Sequence, residues 1–194
     1  MPHASTERDH VDRVREKWKK EAPEWDTSPI SIVARLGRAA TYVDVYVESA
    51  LGEFGLTREA WDILASLRRT GPPYSLSPTD LYRGLMRTSG AITTRLQILE
   101  KRGLITRVVN QEDRRGLLVK LTEKGLELTR RVGPVHLENE RRLLSVLNEV
   151  EQEQLANLLR KLLLSFESQG PSPPVEKEWW TGRSKRKRSS RDSS

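Results

Sequence analysis

The chain has 194 residues, enough for one domain with tails and a sizeable core, and its zero cysteines exclude disulfides and cysteine-based zinc sites. That cysteine usage fits a reducing, cytoplasmic setting, and no apolar run of membrane-spanning length or signal peptide is present. The net charge is +7, of which the seven Lys+Arg and three Asp+Glu after Gly170 supply +4, so any affinity of the preceding part for nucleic acid must rest on where its charges sit.

Residues 1–8 read as disordered. From Asp9 to Lys20 a charged helix is predicted, with Val11, Val14 and Trp18 at i, i+3 and i+7 on one face and Trp18 as the anchor that packs it onto the body. Residues 21–28 form a connector. Ser28-Pro29 then starts a second helix, serine capping and proline taking the first helical position. Val33, Leu36, Ala40, Val43 and Val47 give that helix an apolar stripe out to about Leu51, more than a small helical head requires, which implies a second packing partner. After a bend at 53–56, the segment 57–70 buries Ala60, Ile63, Leu64 and Leu67. Asp62 points away from that face, beside Ala65 and Ser66, where it is either a solvated carboxylate or one that something can approach.

Ser77-Pro78-Thr79-Asp80 is a strong helix start, with a carboxylate placed to complete a capping box, and Leu81 and Leu85 share the buried face. The helix breaks at Arg87-Thr88-Ser89-Gly90, and Ser89 is the expected cap of the next. In that next helix Ile92, Leu96 and Leu99 make the buried stripe, while Gly90, Thr93, Thr94 and Gln97 fall on the far side. Lys101-Arg102-Gly103 closes it with basic residues and a glycine. Two β-rich runs, "LITRVV" and "LLVKL", flank the polar loop 110–116 and predict a hairpin with a long tip.

Thr122-Glu123-Lys124-Gly125 opens a long helix that Gly133-Pro134 should bend or interrupt. Asn148 begins the last helix, where Leu155, Leu158, Leu159, Leu162, Leu163 and Phe166 form a wide apolar face. From Gln169 on, Pro, Ser and charge dominate. Lys185-Arg186-Lys187-Arg188 can add nonspecific phosphate contacts or simply solubilise, and Trp179-Trp180 has no account.

Helix, turn, helix and basic hairpin in succession read as a winged helix-turn-helix: the fold class is mostly α with a small β-hairpin wing. Thr88, Ser89, Thr93, Thr94 and Gln97 are candidates for base and phosphate contacts, since hydroxyls and amides read base edges and a helix N-terminus favours an anion. Arg114 and Arg115 at the wing tip suit a minor groove or phosphates, with Asp113 bracing them; a merely solvated basic turn is the plainer alternative. Arg95 lies about 60° from the centre of the buried stripe, so it looks sideways into the protein and requires a carboxylate or an anionic ligand.

The stretches "RTSGAITTRLQILEKRGLITR" and "DRRGLLVKLTEKG" resemble the MarR family of bacterial transcriptional regulators, over residues 10 to 168. The resemblance implies a homodimer on a palindromic double-stranded operator. It divides the chain into N-terminal helices at 9–56 (dimerisation and a ligand-site lid), a DNA-binding winged helix-turn-helix at 57–121, C-terminal dimerisation helices at 122–168 and a disordered basic tail at 169–194. The match is closer still to the branch that responds to urate. That branch carries an extra N-terminal helix with a tryptophan, an aspartate in a "WD-x-L" helix and two arginines twelve residues apart. The corresponding positions here are Trp18, Asp62, Arg95 and Arg107, with Trp25 as the reserve for Trp18. The implied effector is a flat anionic purine, stacked on Trp18 and held by both arginines, that lowers operator affinity by repelling Asp62 or breaking its ion pair with Arg107. No cofactor or metal is implied. Phenolic or antibiotic-like effectors, and a ligand-independent module for DNA or protein contact, are the rival readings. An enzyme is disfavoured: His3, His10 and His136 are the only histidines, and no catalytic triad, P-loop or dinucleotide motif is present.

Overall fold

The computed structural model describes residues 7–86, 88–110 and 116–168. The expectations for residues 1–6, for Asp113, Arg114 and Arg115 at the wing tip, and for the tail with its basic run and Trp179-Trp180 lie outside them. In order, the elements are α1 (His10–Glu21), α2 (Ile30–Gly52), α3 (Arg58–Arg69), β1 (Ser75–Leu76), α4 (Pro78–Gly84), α5 (Ser89–Lys101), β2 (Ile105–Val109), β3 (Leu117–Leu121), α6 (Glu123–Leu144) and α7 (Glu149–Glu167). The fold is mostly helical with a small antiparallel sheet, as the patterning implies. Two compact units share it. One takes the chain up to Trp61 together with Arg130–Leu147; the other takes Asp62–Thr129 and the helix after Asn148.

In the first unit, Asp9 and Asp12 form a complete capping box at the start of α1, each carboxylate accepting the other's backbone N–H at 2.9 and 3.2 Å. The helix packs on α2, with Val11 buried and Arg35 donating to Asp9 at 2.8 and 3.1 Å and to Asp12 at 2.7 Å. Trp18 is not the buried anchor expected of it. It stays 37% exposed and stacks on Trp25, with ring centroids 5.2 Å apart at 26°, because the connector brings a second indole within reach of its face. Nor does Ser28 cap α2. The stronger acceptor Asp26 takes both its N–H (2.9 Å) and its hydroxyl (3.0 Å) in a local turn, and Pro29 precedes the helix with no side-chain cap.

On α2, Val47 and Leu51 are buried, whereas Val33, Leu36, Val43 and Tyr46 remain exposed. Pro134 does not interrupt α6, which runs from Glu123 to Leu144 with the proline inside it. One proline removes a single ladder bond, and nearby contacts hold the helix. Val132 is fully buried, and the His136 ring meets the edge of Trp61 at 5.4 Å.

The second unit is built on Ile63, Leu64 and Leu67 of α3, Leu81 of α4, Ile92, Leu96 and Leu99 of α5, and Ile105, Val119 and Leu121 of the sheet, all buried. The sheet order is β1-β3-β2, with Arg107 opposite Val119 and Leu76 also beside Val119. The third strand, β1, has no signature in the sequence; two residues are too short to show alternation. Helix α7 opens on a capping box between Asn148 and Glu151 and has no buried residue, leaving Leu158 and Phe166 each 63% exposed.

Candidate nucleic-acid interface

The head of the second unit is α4, a short turn and α5, followed by the β2–β3 hairpin. Ser77 caps α4 by accepting the Asp80 N–H at 3.1 Å. Its hydroxyl donates to the Asp80 carboxylate at 2.6 Å, so that carboxylate accepts from the hydroxyl and not from the Ser77 N–H that a capping box would use. Thr88, not Ser89, caps α5: its backbone is extended and its hydroxyl oxygen accepts the Ala91 N–H at 3.3 Å, while Ser89 already has helical geometry. Helix α4 packs on α5, and α5 on β2.

Along α5 the predicted division of faces holds. Ile92, Leu96 and Leu99 are buried; Ser89, Gly90, Thr93, Thr94 and Gln97 are exposed. The Thr93 hydroxyl donates to the Ser89 carbonyl at 2.8 Å and that of Thr94 to the Gly90 carbonyl at 3.2 Å. With those protons committed to their own helix, both residues offer lone pairs and a methyl group outward. These features suit exocyclic amino groups of bases and the thymine methyl. Gln97 offers both a donor and an acceptor.

The C-terminal end of α5 is held by the start of α6. Arg102 is the cap residue, and Gly103 follows it with φ +69°, the left-handed conformation the sequence predicts for a glycine there. Lys124 Nζ donates to the Arg102 carbonyl at 2.8 Å, the Thr122 hydroxyl to the Gly103 carbonyl at 2.7 Å, and the Thr122 N–H to the Leu104 carbonyl at 3.2 Å. A Cβ on Gly125 would come within 2.0 Å of the Leu104 carbonyl oxygen, so only glycine lets α6 approach this closely. Nothing in the residue pattern alone reveals what Thr122, Lys124 and Gly125 do here, although the "LT-x-KG" spelling marks them.

Asp62, Arg95 and Arg107 all belong to this unit and are half-buried; Trp18 belongs to the other. Arg107 stands on the same face of β2 as the buried Ile105, and its Nε lies 3.2 Å from Oε2 of Glu100, in the last turn of α5. The two are too poorly aligned for a hydrogen bond, so this buried Nε has no hydrogen-bond acceptor among the described residues. Sequence reasoning missed Glu100; its only signal is a lone carboxylate at the end of a helix that leads into an arginine-bearing strand. Glu100 also lines a surface depression of about 500 Å³ with Gln97, Ile98 and Lys101. Among the described residues no helix is long and apolar enough to cross a membrane.

Residues 54–116 match the family model described as MarR family. The HTH-type transcriptional regulator PecS of Dickeya dadantii is 34% identical over 152 residues, covering 78% of this chain and 92% of that protein. The transcriptional repressor MprA of Escherichia coli is 39% identical over 90 residues, 46% of this chain and 51% of its own. Among solved structures, the MarR family regulator AbsC of Streptomyces coelicolor superposes with a TM-score of 0.67 at 26% identity, covering 74% of this chain and 98% of that one. Sco3205 from the same organism, solved in complex with DNA, gives 0.66 at 26% identity over 76% and 96%. These relatives are transcriptional regulators, not enzymes.

Proposed function

The chain belongs to the MarR family and is a DNA-binding transcriptional regulator; from that premise we propose that it is a homodimeric repressor whose grip on a palindromic operator is loosened by a small, flat, anionic aromatic such as urate. The observation that carries the DNA half is the outward face of α5, small and hydrogen-bonding, opposite a wholly buried stripe. Thr93, Thr94 and Gln97 read bases, Ser89 and the capped helix start meet phosphate, and Arg114 and Arg115 serve the wing. Dimerisation is supported by the exposed apolar faces of α2 and α7, which a lone chain would leave in water.

The effector half rests on the sequence correspondence at Trp18, Asp62, Arg95 and Arg107 and on the chemistry of those side chains. Two guanidinium groups suit a planar anion with several oxygens, and an indole suits its ring. A coupling of about 1–3 kcal/mol between effector and operator is enough for a useful response.

A gel-shift on the DNA upstream of the gene, titrated first with urate and then with salicylate, tests both halves. A discrete complex that urate dissolves supports the reading. A complex released by salicylate alone reassigns the effector to phenolic compounds, and no sequence-specific complex overturns the DNA-reading face.

A further inference from the structure

We propose that Glu100 is a positioning residue that holds the recognition helix to the wing through Arg107, and that an anionic effector acts by taking Arg107 away from it. Helix α5 carries the base-reading side chains, so its position relative to β2 decides where Thr93, Thr94 and Gln97 meet the groove. The buried apolar residues of α5 fix its depth, but a greasy stripe permits small rotations. Directional ties set the rest.

Two ties at the C-terminal end matter here. One is the set of bonds from Thr122 and Lys124 to the last carbonyls of the helix and the glycine after it, all backbone acceptors that no anion can replace. The other is the ion pair between Glu100 and Arg107, 3.2 Å apart and 40% and 32% exposed. Only the second can be exchanged for a free anion.

Three features favour exchange. The pair is a single charge contact without hydrogen-bond alignment at Nε, so the buried Nε of Arg107 retains an unmet donor that a better-placed carboxylate or enolate oxygen would satisfy. Glu100 lines an open depression, so the carboxylate side of the pair is reached from solvent. Arg107 shares its face of β2 with buried Ile105, which fixes the strand; the partner that gives way is therefore the Glu100 side chain. Glu100 thus stands where an effector's negative charge would go, and its departure releases α5 while the Thr122–Lys124 clamp keeps the helix folded. The effector step rests on the assignment of Arg107 as an effector contact made above; the tie between helix and wing does not.

The test is a double-mutant cycle of Glu100→Gln and Arg107→Gln in the full chain, read as operator Kd by fluorescence anisotropy and, separately, as unfolding midpoint. A half-exposed pair supports an effect of about three- to fivefold on operator affinity for Glu100→Gln. The double variant should bind no more weakly than the weaker single, because the two act through one contact. Unfolding midpoints should shift only slightly, so all three variants stay folded under the binding assay. Operator affinity of Glu100→Gln equal to wild type, or additive losses in the double variant, overturns the tie. In a second arm, urate titrated into each operator complex should release Glu100→Gln at a severalfold lower concentration than wild type. If wild type responds to urate and Glu100→Gln responds at the same concentration, the exchange is wrong. If wild type ignores urate while the coupling in operator affinity stands, the effector reading falls and the tie remains.

Discussion

Gln97 illustrates how much a single side chain's position settles. It sits on the outward face of α5 one turn beyond Thr93 and Thr94, whose hydroxyl protons are already committed to the helix, so its amide remains to make a paired contact. Replacing Gln97 by Ala should cost about 1–3 kcal/mol of operator affinity, concentrated at one base position, with nonspecific binding unchanged; anisotropy titrations against single-base operator variants would show it. Asp9 offers a second test at this scale. The Arg35 guanidinium, and next the Asp12 N–H, hold its carboxyl down at about 2, below the usual carboxylate value. A depressed folded pKa means that its contribution is present at neutral pH and is lost as the pH falls from about 4 towards 2. The fluorescence of the Trp18–Trp25 stack should report loosening of α1 in that window, and Asp9→Asn should remove that part of the acid response. The buried stripe of α5 was legible in the sequence because helical period is a local property. Glu100 was not, because an ion pair between a helix and the following strand leaves no periodic trace.

At the scale of elements, the junction between wing and α6 decides the head's geometry. Gly125→Ala places a methyl group against a backbone carbonyl that cannot rotate away, and should destabilise the protein by about 1–3 kcal/mol, read from chemical denaturation. Thr122→Ala should cost less, since it removes side-chain hydrogen bonds without a clash. Helix starts were mostly readable, yet the capping residue slipped at two of them. At α5 the adjacent threonine has the extended backbone a cap requires, and at the connector before α2 the serine's N–H and hydroxyl both donate to the Asp26 carboxylate in a local turn. Such competition between neighbours is decided by geometry that composition does not encode. At Pro134 the sequence offers a bend or an interruption, and the helix runs through it without a break from Glu123 to Leu144.

For the molecule as a whole, the apolar faces left open on α2 and α7 are what a single chain cannot satisfy. Leu158→Lys combined with Leu162→Lys changes residues that stay exposed in this chain, neither of them part of its buried core, so folding should survive. Sedimentation should show monomers in place of dimers, and operator affinity should fall by about a hundredfold or more as one half-site is lost from each binding event. The surplus of apolar helix surface was visible in the sequence; what covers it was not, since a pattern cannot distinguish an internal partner from a second copy.

The two units also differ in how the chain supplies them. The buried residues of the second unit all lie in one uninterrupted stretch, Asp62–Thr129, since α7 adds none, whereas the first unit waits for Arg130–Leu147 to join residues translated long before. Short sequence separations favour rapid closure, and synthesis proceeds from the N-terminus. The base-reading head can therefore complete its core on the ribosome while the remainder is still being made. A nascent regulator acquires its reading surface first and its full length of pairing helices last.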